Sequence, residues 1–312
     1  MTYFQNIATL TLLVIAVACG DKDKSGKPID TPTYGEIKIA VDESLKPVVD
    51  SEIKGFQGIY KNAIIAAQYT SEAEALDLLL KDSVRMIVIT RKLDREERDL
   101  LKGQQITPHE LVIAHEGIAL IMNQLKRDSL LSIQQLRDVF AGKISNWNQL
   151  FKGSSKDSVK IVFDNPSSGM LRYLKDTLGI DNLPKNCYAV NNNPAVIDYV
   201  SQNKNAIGVI GVSWISDTDD SAAVYFLKTI RVFGLQHDSS YYQPYQAYIA
   251  QHSYPLSREV IIISREARTG LASGFTAFIA SDKGQRIVLK AGLVPATMPV
   301  RIVQVSQEPI VY

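Results

Sequence analysis

The pattern that most constrains the fold begins at Glu36, where short apolar runs start to alternate with amphipathic stretches. Apolar runs rich in β-branched residues are typical of buried strands, and strands that alternate with helices predict an α/β fold with a largely parallel sheet. The predicted strands are 37–41, 63–69, 84–90, 159–163, 206–215 and 258–264. Helices are predicted at 44–55, 93–101, 131–142, 168–178, 194–200, 270–280 and 283–290, with a further helix starting at Ser71.

One segment departs from this alternation. Residues 110–123 (ELVIAHEGIALIMN) form a long, apolar, extended stretch with Gly117 in its middle. The stretch is too long for one ordinary strand, and the strand–helix pattern restarts after it. We therefore expect it to run from one domain into a second, which agrees with 312 residues at roughly 150 residues per domain.

Composition excludes several classes of protein. A hydrophobic content of 46% excludes disorder for most of the chain, and 34 Lys+Arg against 33 Asp+Glu predict no nucleic-acid partner. Two cysteines cannot form a disulfide framework, and four dispersed histidines predict no metal site. The sequence has neither a G-x-S-x-G elbow nor a glycine-rich phosphate loop, so we expect no catalytic residues, no enzyme and no cofactor.

The first residues predict the compartment. Residues 1–18 carry no charged side chain. The apolar run 7–18 fits the hydrophobic region of a signal peptide, at ~7–15 residues, better than a membrane span of ~20 residues. The run ends in small residues directly before Cys19, which resembles a bacterial lipoprotein signal. That resemblance implies removal of 1–18 and acylation of Cys19. A simple secretory signal or an N-terminal anchor stays open, because no Lys or Arg precedes the run and Ala16 stands where a larger aliphatic residue is commoner.

Residues 19–35 are polar, with Gly, Pro and alternating charges, which is the composition of a linker. We expect them to tether a soluble body to the membrane through the lipid. The predicted location is the cell envelope, on the periplasmic or surface side of a membrane.

Four motifs, in order along the chain, resemble the phosphate-binding proteins of ABC importers. They are an F-x-G-K-I-x-N-W signature within 131–150, AIGVIG at 206–211, YPLSR at 254–258, and S-x-x-G-Q with its later G-x-x-P within 280–295. The resemblance implies the α/β two-lobed periplasmic-binding-protein fold (type II), in which two crossing segments join the lobes and ligand binds in the cleft. It places lobe 1 at 36–115 plus 255–303, lobe 2 at 116–254 and a tail at 304–312. It also implies phosphate or a related oxyanion as ligand and ABC permease subunits as partners.

The first candidate contact loop follows the first strand. The family carries G-S-S-T-x-x-P there, and Ser44 stands at its Thr, so Ser44 and Leu45 are candidate ligand contacts. Asp42 and Glu43 replace the two serines. The alternative for Ser44 is a plain helix N-cap, worth ~1 kcal/mol.

The second loop follows the third strand. Thr90 and Arg91 stand where the family has Ser-Arg, and an arginine at a strand end can grip an oxyanion through two hydrogen bonds. The alternative for Arg91 is a surface ion pair with Asp94 or Glu97.

The third loop, 162–174, precedes a helix whose N-terminus can hold an anion through free backbone N–H groups. Asp164 stands where the family has its binding Arg, and Arg172 offers a replacement charge about one turn into the helix. The alternative is a capped helix after an Asn-Pro turn. The candidate contacts here are Ser167, Ser168, Gly169 and Met170.

The acidic substitutions bear on the ligand. Asp42, Glu43 and Asp164 disfavour a dianion, but a carboxylate can accept the proton that phosphate carries at neutral pH and sulfate lacks. Phosphate therefore remains the leading ligand, with another oxyanion or a larger organic ligand held partly by Met170 as alternatives. Two further functions stay open: a ligand-sensing lipoprotein of the same fold, and a surface lipoprotein that binds a macromolecule through an outer face.

Overall fold

The computed structural model describes residues 30–300, so the predicted signal peptide, Cys19 and the tail 304–312 lie outside the described residues. The first part of this chain forms most of lobe 1 by alternating strand and helix. A 3-10 turn (Glu43–Leu45) precedes the first helix. The elements are β1 (Gly35–Asp42), α1 (Lys46–Ile59), β2 (Ala63–Thr70), α2 (Glu72–Leu80), β3 (Met86–Ile89) and α3 (Arg95–Gly103).

Helix starts in the structure follow local capping signals. The Ser71 hydroxyl accepts a hydrogen bond from the Glu74 amide at 3.2 Å, which confirms the predicted start of α2. Asp94 and Glu97 form a reciprocal capping box at α3. Each bond satisfies a backbone N–H that the first helical turn leaves without an intrahelical partner.

The long apolar segment is a single strand, β4 (His109–Asn123). Gly117 does not interrupt the strand, which changes partner there instead. Gly117 is in register with Ser257 on one neighbour, and Ile118 with Gly211 on another. A Cβ on Gly117 would lie 2.8 Å from Ile249 Cδ1, so the glycine allows close packing at this junction. The prediction that this segment crosses from one lobe to the other is confirmed.

Lobe 2 restarts the alternation and adds a small three-stranded sheet, made of residues 240–242, 234–237 and 130–131. Its elements are β5 (Leu130–Leu131), α4 (Ile133–Phe140), α5 (Trp147–Leu150), β6 (Lys160–Phe163), α6 (Gly169–Leu178), β7 (Cys187–Ala189), α7 (Asn193–Gln202), β8 (Ala206–Gly211), α8 (Ser213–Ser216), α9 (Ser221–Thr229), β9 (Ile230–Val232), β10 (Gly234–His237), β11 (Ser240–Tyr242) and α10 (Gln246–Ala250).

The chain then returns to lobe 1 through a second crossing. The final elements are β12 (Ser257–Ser264), α11 (Leu271–Ala280), α12 (Asp282–Lys290) and β13 (Val294–Pro295). One sheet runs through both lobes in the order β2-β1-β3-β12-β4-β8-β6-β7. The pairs β1–β2, β1–β3, β6–β7 and β6–β8 are parallel, whereas β12 and β4 are antiparallel to their neighbours. Because parallel strands end at the same edge, β1 and β3 bring their carboxyl ends to one side of lobe 1.

Each lobe buries apolar side chains on both faces of its part of the sheet. In lobe 1, Phe56 and Phe275 are fully buried on one face, and Leu79 on the other. In lobe 2, Trp147 lies within one core and Val196 within the other. No helix within residues 30–300 is long and apolar enough to cross a membrane.

Residues 30–34, which were predicted to belong to the linker 19–35, pack against lobe 1. Asp30 is 7% exposed, and its carboxylate accepts hydrogen bonds from Arg85 at 2.6 Å, from Arg268 and from the Leu271 amide at 2.7 Å. These contacts fix residues 30–34 to the start of α11. The predicted boundary was late because composition alone does not reveal that one aspartate in a polar stretch has buried partners.

Candidate functional site

The site lies where the carboxyl ends of β1 and β3 in lobe 1 face the start of α6 in lobe 2. The crossing strands β4 and β12 pass beneath it and contribute one charged side chain each, Glu116 and Arg258. Both are buried, with side chains 0% and 1% exposed.

At the end of β1, the Asp42 carboxylate caps the following 3-10 turn. Asp42 Oδ1 accepts the Ser44 amide at 3.0 Å and the Ser44 hydroxyl at 2.6 Å. The capping role that the sequence offered for Ser44 therefore belongs to Asp42. Ser44 instead accepts a hydrogen bond from Arg258 Nη2 at 2.7 Å, inside the cleft. Leu45 is fully buried and packs in the lobe 1 core, so its side chain does not face the cleft.

At the end of β3, Thr90 is held by a carboxylate that the sequence analysis did not single out. Glu72 Oε2, from the first residue of α2, accepts the Thr90 amide at 3.0 Å and the Thr90 hydroxyl at 2.6 Å. Glu72 Oε1 accepts Arg172 Nε at 2.6 Å from lobe 2. Burial acts to raise the pKa of Glu72, but Arg172 and Thr90 together hold it below its usual value.

Arg91 forms an ion pair with Glu97, which was the alternative to ligand contact for this residue. Its two terminal nitrogens donate to the two Glu97 oxygens at 2.7 and 2.6 Å. Both terminal nitrogens are therefore engaged by Glu97, although Arg91 lines the same cavity as Ser168 and its Nε lies 3.9 Å from Glu72 Oε1.

Arg258 is the cation at the centre of the site. Its Nη2 donates to Glu116 Oε2 at 2.7 Å, and its Nη1 lies 3.5 Å from the Thr90 hydroxyl. Glu116 Oε1 also accepts the Ser213 hydroxyl at 3.0 Å. Burial raises the pKa of Glu116, and the Arg258 charge opposes that shift.

Ser168 caps the N-terminus of α6, as the sequence of the loop 162–174 predicted. Ser168 is buried, and its hydroxyl accepts the Met170 amide at 3.1 Å. Ser167 is exposed, with its amide bound to Asn165 Oδ1 at 2.8 Å. Met170 is fully buried in the lobe 2 core, which contradicts the suggestion that its side chain holds an organic ligand.

Gly169 lies at a close contact between the lobes. A Cβ at this position would lie 2.5 Å from Asp42 Oδ2, 2.7 Å from Glu72 Oε2 and 2.8 Å from Thr90 Oγ1. Glycine therefore lets the N-terminus of α6 press directly on the lobe 1 carboxylates. The partial positive charge of a helix N-terminus stabilises nearby anionic groups.

Two carboxylates in the cleft keep oxygens without a hydrogen-bond partner among residues 30–300. The oxygens are Asp42 Oδ2 and both carboxylate oxygens of Asp164, and each of the two residues is 1% exposed. Burial raises the pKa of Asp164 to about 7, and the charge of Asp42 acts in the same direction. Burial also raises the pKa of Asp42, against the Arg258 charge.

Two further contacts join the lobes at the rim. Glu43 Oε2 accepts the Asn193 side-chain amide at 2.7 Å and the Asn193 backbone amide at 3.2 Å. Trp214 Nε1 donates to the Ser44 carbonyl at 2.9 Å. Burial raises the pKa of Glu43, and Asn193 opposes that shift. Among residues 30–300, no group of three or more His, Cys, Asp or Glu side chains could hold a metal ion.

Comparison with known proteins decides the family. A model of the PBP superfamily domain matches residues 26–283 of the 312. This chain belongs to the PBP superfamily. The two-lobed fold expected from the sequence motifs is confirmed.

Two relatives that align with most of this chain are named phosphate-binding protein PstS. A phosphate-binding protein PstS of Staphylococcus epidermidis is 22% identical over 292 residues, covering 91% of this chain and 87% of the relative. A PstS of Staphylococcus aureus is 22% identical over 299 residues, covering 94% and 88%.

Solved structures show the same PBP fold. A Clostridium perfringens protein, described as the substrate-binding protein of a phosphate ABC transporter and solved with bound phosphate, superimposes with a TM-score of 0.72 at 23% identity. That superposition covers 84% of this chain and 100% of the other. An ABC-type phosphate transport receptor from Vibrio cholerae gives 0.64 at 21% identity, with coverages of 84% and 100%.

Sequence reasoning placed Ser44, Thr90, Ser168 and Gly169 in loops that meet at the cleft of this PBP chain. It did not assign a role to three charged residues at the centre of the site, which are Glu72, Glu116 and Arg258. Two of these, Glu116 and Arg258, had a signal that could have been used. Glu116 interrupts an apolar run, and Arg258 lies just before the apolar run 260–263 in the same strand. A charged residue in such a place is rarely buried without a partner.

Proposed function

We propose that this chain captures inorganic phosphate between its lobes and delivers it to the permease of an ABC importer. The observation that carries the proposal is the meeting of hydroxyl and guanidinium donors with a helix N-terminus at one point between the lobes. Ser44, Thr90 and Arg258 approach from one side, and Arg172 and the start of α6 from the other. The phosphate-binding names of the PstS relatives support the same ligand.

Lobe closure is the mechanism that fits this arrangement. Within residues 30–300 the chain passes between the lobes twice, through β4 and at the start of β12, and rotation of the lobes about these crossings would close the cleft. Closing surrounds the anion with donors from both sides and removes it from water. Each charge-assisted hydrogen bond is stronger in the closed cleft than in water. This is a binding role and not a catalytic one.

Titration calorimetry tests the ligand. The protein is produced from Gly20 onward, freed of bound anion by partial unfolding and dialysis, and titrated with phosphate at pH 6, with sulfate as the control. We expect micromolar or tighter binding of phosphate and at least tenfold weaker binding of sulfate. A folded protein that binds no phosphate at any pH between 5 and 8 would overturn the proposal.

A charge variant tests the site. Arg172→Gln removes the lobe 2 guanidinium, and a lost charged hydrogen bond of about 1.5–3 kcal/mol predicts roughly 10- to 100-fold weaker phosphate binding. Lys185→Gln is the matched control, because it removes an exposed cation from the same lobe. Equal loss in both variants would indicate a general electrostatic effect and contradict the assigned site.

We also propose that Cys19 is acylated and holds the protein at the outer side of a membrane. The apolar run before Cys19 and the polar residues after it support this. Mass spectrometry of the mature protein expressed in bacteria should show a lipid-modified N-terminus at Cys19. The Cys19→Ser variant should lose the modification and leave the membrane fraction. An unmodified Cys19 in wild-type protein would exclude the anchor.

A further inference from the structure

A surface cavity of about 430 Å³ adjoins the cleft at the start of α6. Glu72, Ser168 and Arg172 line this cavity, and all three also belong to the candidate site. Its volume falls in the range of about 300–1,000 Å³ that is typical of sites for organic molecules, and inorganic phosphate alone would leave most of it empty. The cavity can therefore receive an organic group that is attached to a phosphoryl group in the cleft.

One face of α6 runs from the cleft to the outer end of the cavity. Ser168, Leu171, Arg172 and Lys175 all line the cavity, and their spacing along the chain places them on the same side of a helix. A helical rise of about 1.5 Å per residue puts Lys175 about 4.5 Å beyond Arg172 along the axis. A ligand held at Ser168 and Arg172 can therefore extend along this face towards Lys175.

Apolar side chains of lobe 2 line the space beside this face. Phe163 and Leu171 are each 5% exposed, and Leu183 is partly buried. Ala73, in the first turn of α2, lines the cavity from lobe 1. The hydrocarbon part of a ligand would leave water between these side chains, which favours its binding.

Lys175 is the cation of this cavity that has no matching carboxylate. Arg91 is paired with Glu97, and Arg172 is paired with Glu72. The Lys175 ammonium group has neither an ion pair nor a hydrogen bond within residues 30–300.

The neighbouring acid on α6 does not neutralise this charge. Asp176 Oδ2 lies 3.3 Å from Arg172 Nη1 instead, and the Asp176 side chain is 69% exposed, so solvent screens it. An unpaired ammonium group favours a ligand that carries a second anionic group at this distance from its phosphoryl group.

We propose that the cleft takes phosphate monoesters of short hydroxy acids as well as inorganic phosphate. The phosphoryl group lies at Ser168 and Arg172, the carbon chain lies against Leu171, and the carboxylate pairs with Lys175. A three-carbon acid suits the offset of about 4.5 Å between Arg172 and Lys175. This inference rests on the proposed phosphate-binding function and names a further ligand class for the same site. The ester is bound and not hydrolysed, so no covalent bond forms or breaks.

Calorimetry of the chain from Gly20 onward at pH 7 tests this inference, with 3-phosphoglycerate, glycerol 3-phosphate and inorganic phosphate as the probes. We expect 3-phosphoglycerate to bind within about tenfold of phosphate. Glycerol 3-phosphate lacks the carboxylate and should bind about tenfold more weakly than 3-phosphoglycerate, since a hydrogen bond between charged groups is lost.

The outcomes separate the two proposals. Phosphate binding with 3-phosphoglycerate more than tenfold weaker would overturn the ester site and leave phosphate capture in place. Binding of 3-phosphoglycerate without binding of phosphate would contradict phosphate capture and support the ester site. A folded protein that binds none of the three probes would overturn both.

The carboxylate contact is tested by Lys175→Gln. The readout is the affinity for 3-phosphoglycerate divided by that for phosphate, and we expect this ratio to fall about tenfold. Lys185→Gln is the control, because Lys185 is an exposed cation of the same lobe that does not line the cavity. A wild-type ratio in folded Lys175→Gln protein, or an equal fall in both variants, would overturn the contact.

Occupation of the cavity is tested from the other lobe by Ala73→Phe. Ala73 is exposed, so the larger ring should be compatible with folding and should take up space that the ester needs. We expect the ratio of 3-phosphoglycerate to phosphate affinity to fall at least tenfold, whereas Ala73→Ser should keep the wild-type ratio. A wild-type ratio in Ala73→Phe would show that the ester does not occupy this cavity.

Discussion

Gly169 shows how one residue sets the distance between two lobes. Its hydrogen faces Asp42, Glu72 and Thr90, where a methyl group would lie within 3 Å of three oxygens. Thr90 Oγ1 donates to Glu72 Oε2, and the second oxygen of each carboxylate is also held: Asp42 Oδ1 accepts the Ser44 amide, and Glu72 Oε1 accepts Arg172 Nε. These bonds resist a movement of the three oxygens away from Gly169. The least costly response to a larger side chain is for the lobes to separate.

We therefore expect Gly169→Ala to fold but to close poorly. Each lobe keeps its own core, so the melting temperature should change little, while phosphate affinity should fall by at least tenfold. Small-angle scattering in saturating phosphate should show a larger radius of gyration than wild type. Gly179→Ala would not be a suitable control, since Gly179 has a positive φ, whereas Gly58 has open space beside it and Gly58→Ala is suitable. Wild-type affinity in Gly169→Ala would refute the role of this close contact.

Glu52 on α1 is a second residue whose effect can be measured. It is 1% exposed, its oxygens have no hydrogen-bond partner in the described chain, and burial raises its pKa to about 9 from 4.5. Because the folded pKa exceeds the unfolded one, the folded chain keeps a proton that the unfolded chain releases. The free energy of unfolding should therefore fall as pH rises from about 4.5 towards 9.

Glu52→Gln should weaken this pH dependence. The amide cannot ionise, so the variant should lose less stability between pH 5 and pH 8, where each unit of difference corresponds to about 1.4 kcal/mol. Chemical denaturation at both pH values measures the effect, with the exposed Glu96→Gln as control. Parallel stability curves for wild type and Glu52→Gln would show that Glu52 ionises normally.

At the scale of elements, the sequence predicted most helices and strands because their signals are local. Ser71 marks the start of α2 through its own hydroxyl, and the aliphatic run at 258–264 becomes most of β12. The partner exchange at Gly117 in β4 could not be predicted in the same way. It depends on Ser257 and Gly211, which lie far away in sequence. The pairing of Arg258 with Glu116 was missed for the same reason, since only tertiary structure brings them together.

The Asp30 carboxylate anchors residues 30–34 and also caps the N-terminus of α11. Asp30→Ala removes the hydrogen bond to the Leu271 amide and leaves Arg85 and Arg268 without this partner. We expect a loss of about 1–3 kcal/mol in the free energy of unfolding, measured by urea denaturation. Glu36→Ala, at a nearby exposed position, should change stability by less than about 0.5 kcal/mol. Equal effects would show that Asp30 is not an anchor.

At the scale of the whole molecule, cross-lobe contacts at the rim report on closure. Trp214 in lobe 2 donates to the Ser44 carbonyl in lobe 1, and Arg172 reaches Glu72 in the same direction. The chain has two tryptophans, and the other, Trp147, is fully buried within lobe 2 with its indole N–H bound to Asn205. Only Trp214 should sense the movement of one lobe against the other.

We expect phosphate to shift tryptophan emission to shorter wavelength, because closure moves the Trp214 indole out of water. Trp147→Phe should keep the shift and Trp214→Phe should lose it, as measured by titration at fixed protein concentration. A shift that survives in Trp214→Phe would place the conformational change inside lobe 2.

The path of the chain through the shared sheet has a consequence for the order of assembly during synthesis. Lobe 2 comes from one uninterrupted stretch, but lobe 1 needs β12, which lies between β3 and β4 in the sheet and is encoded after all of lobe 2. The amino-terminal lobe therefore begins first and finishes last. Until residue 264 has emerged, the edges of β3 and of the first half of β4 remain unpaired. Such edges invite association with other chains, so we expect the folding chain to be most prone to aggregation before β12 docks.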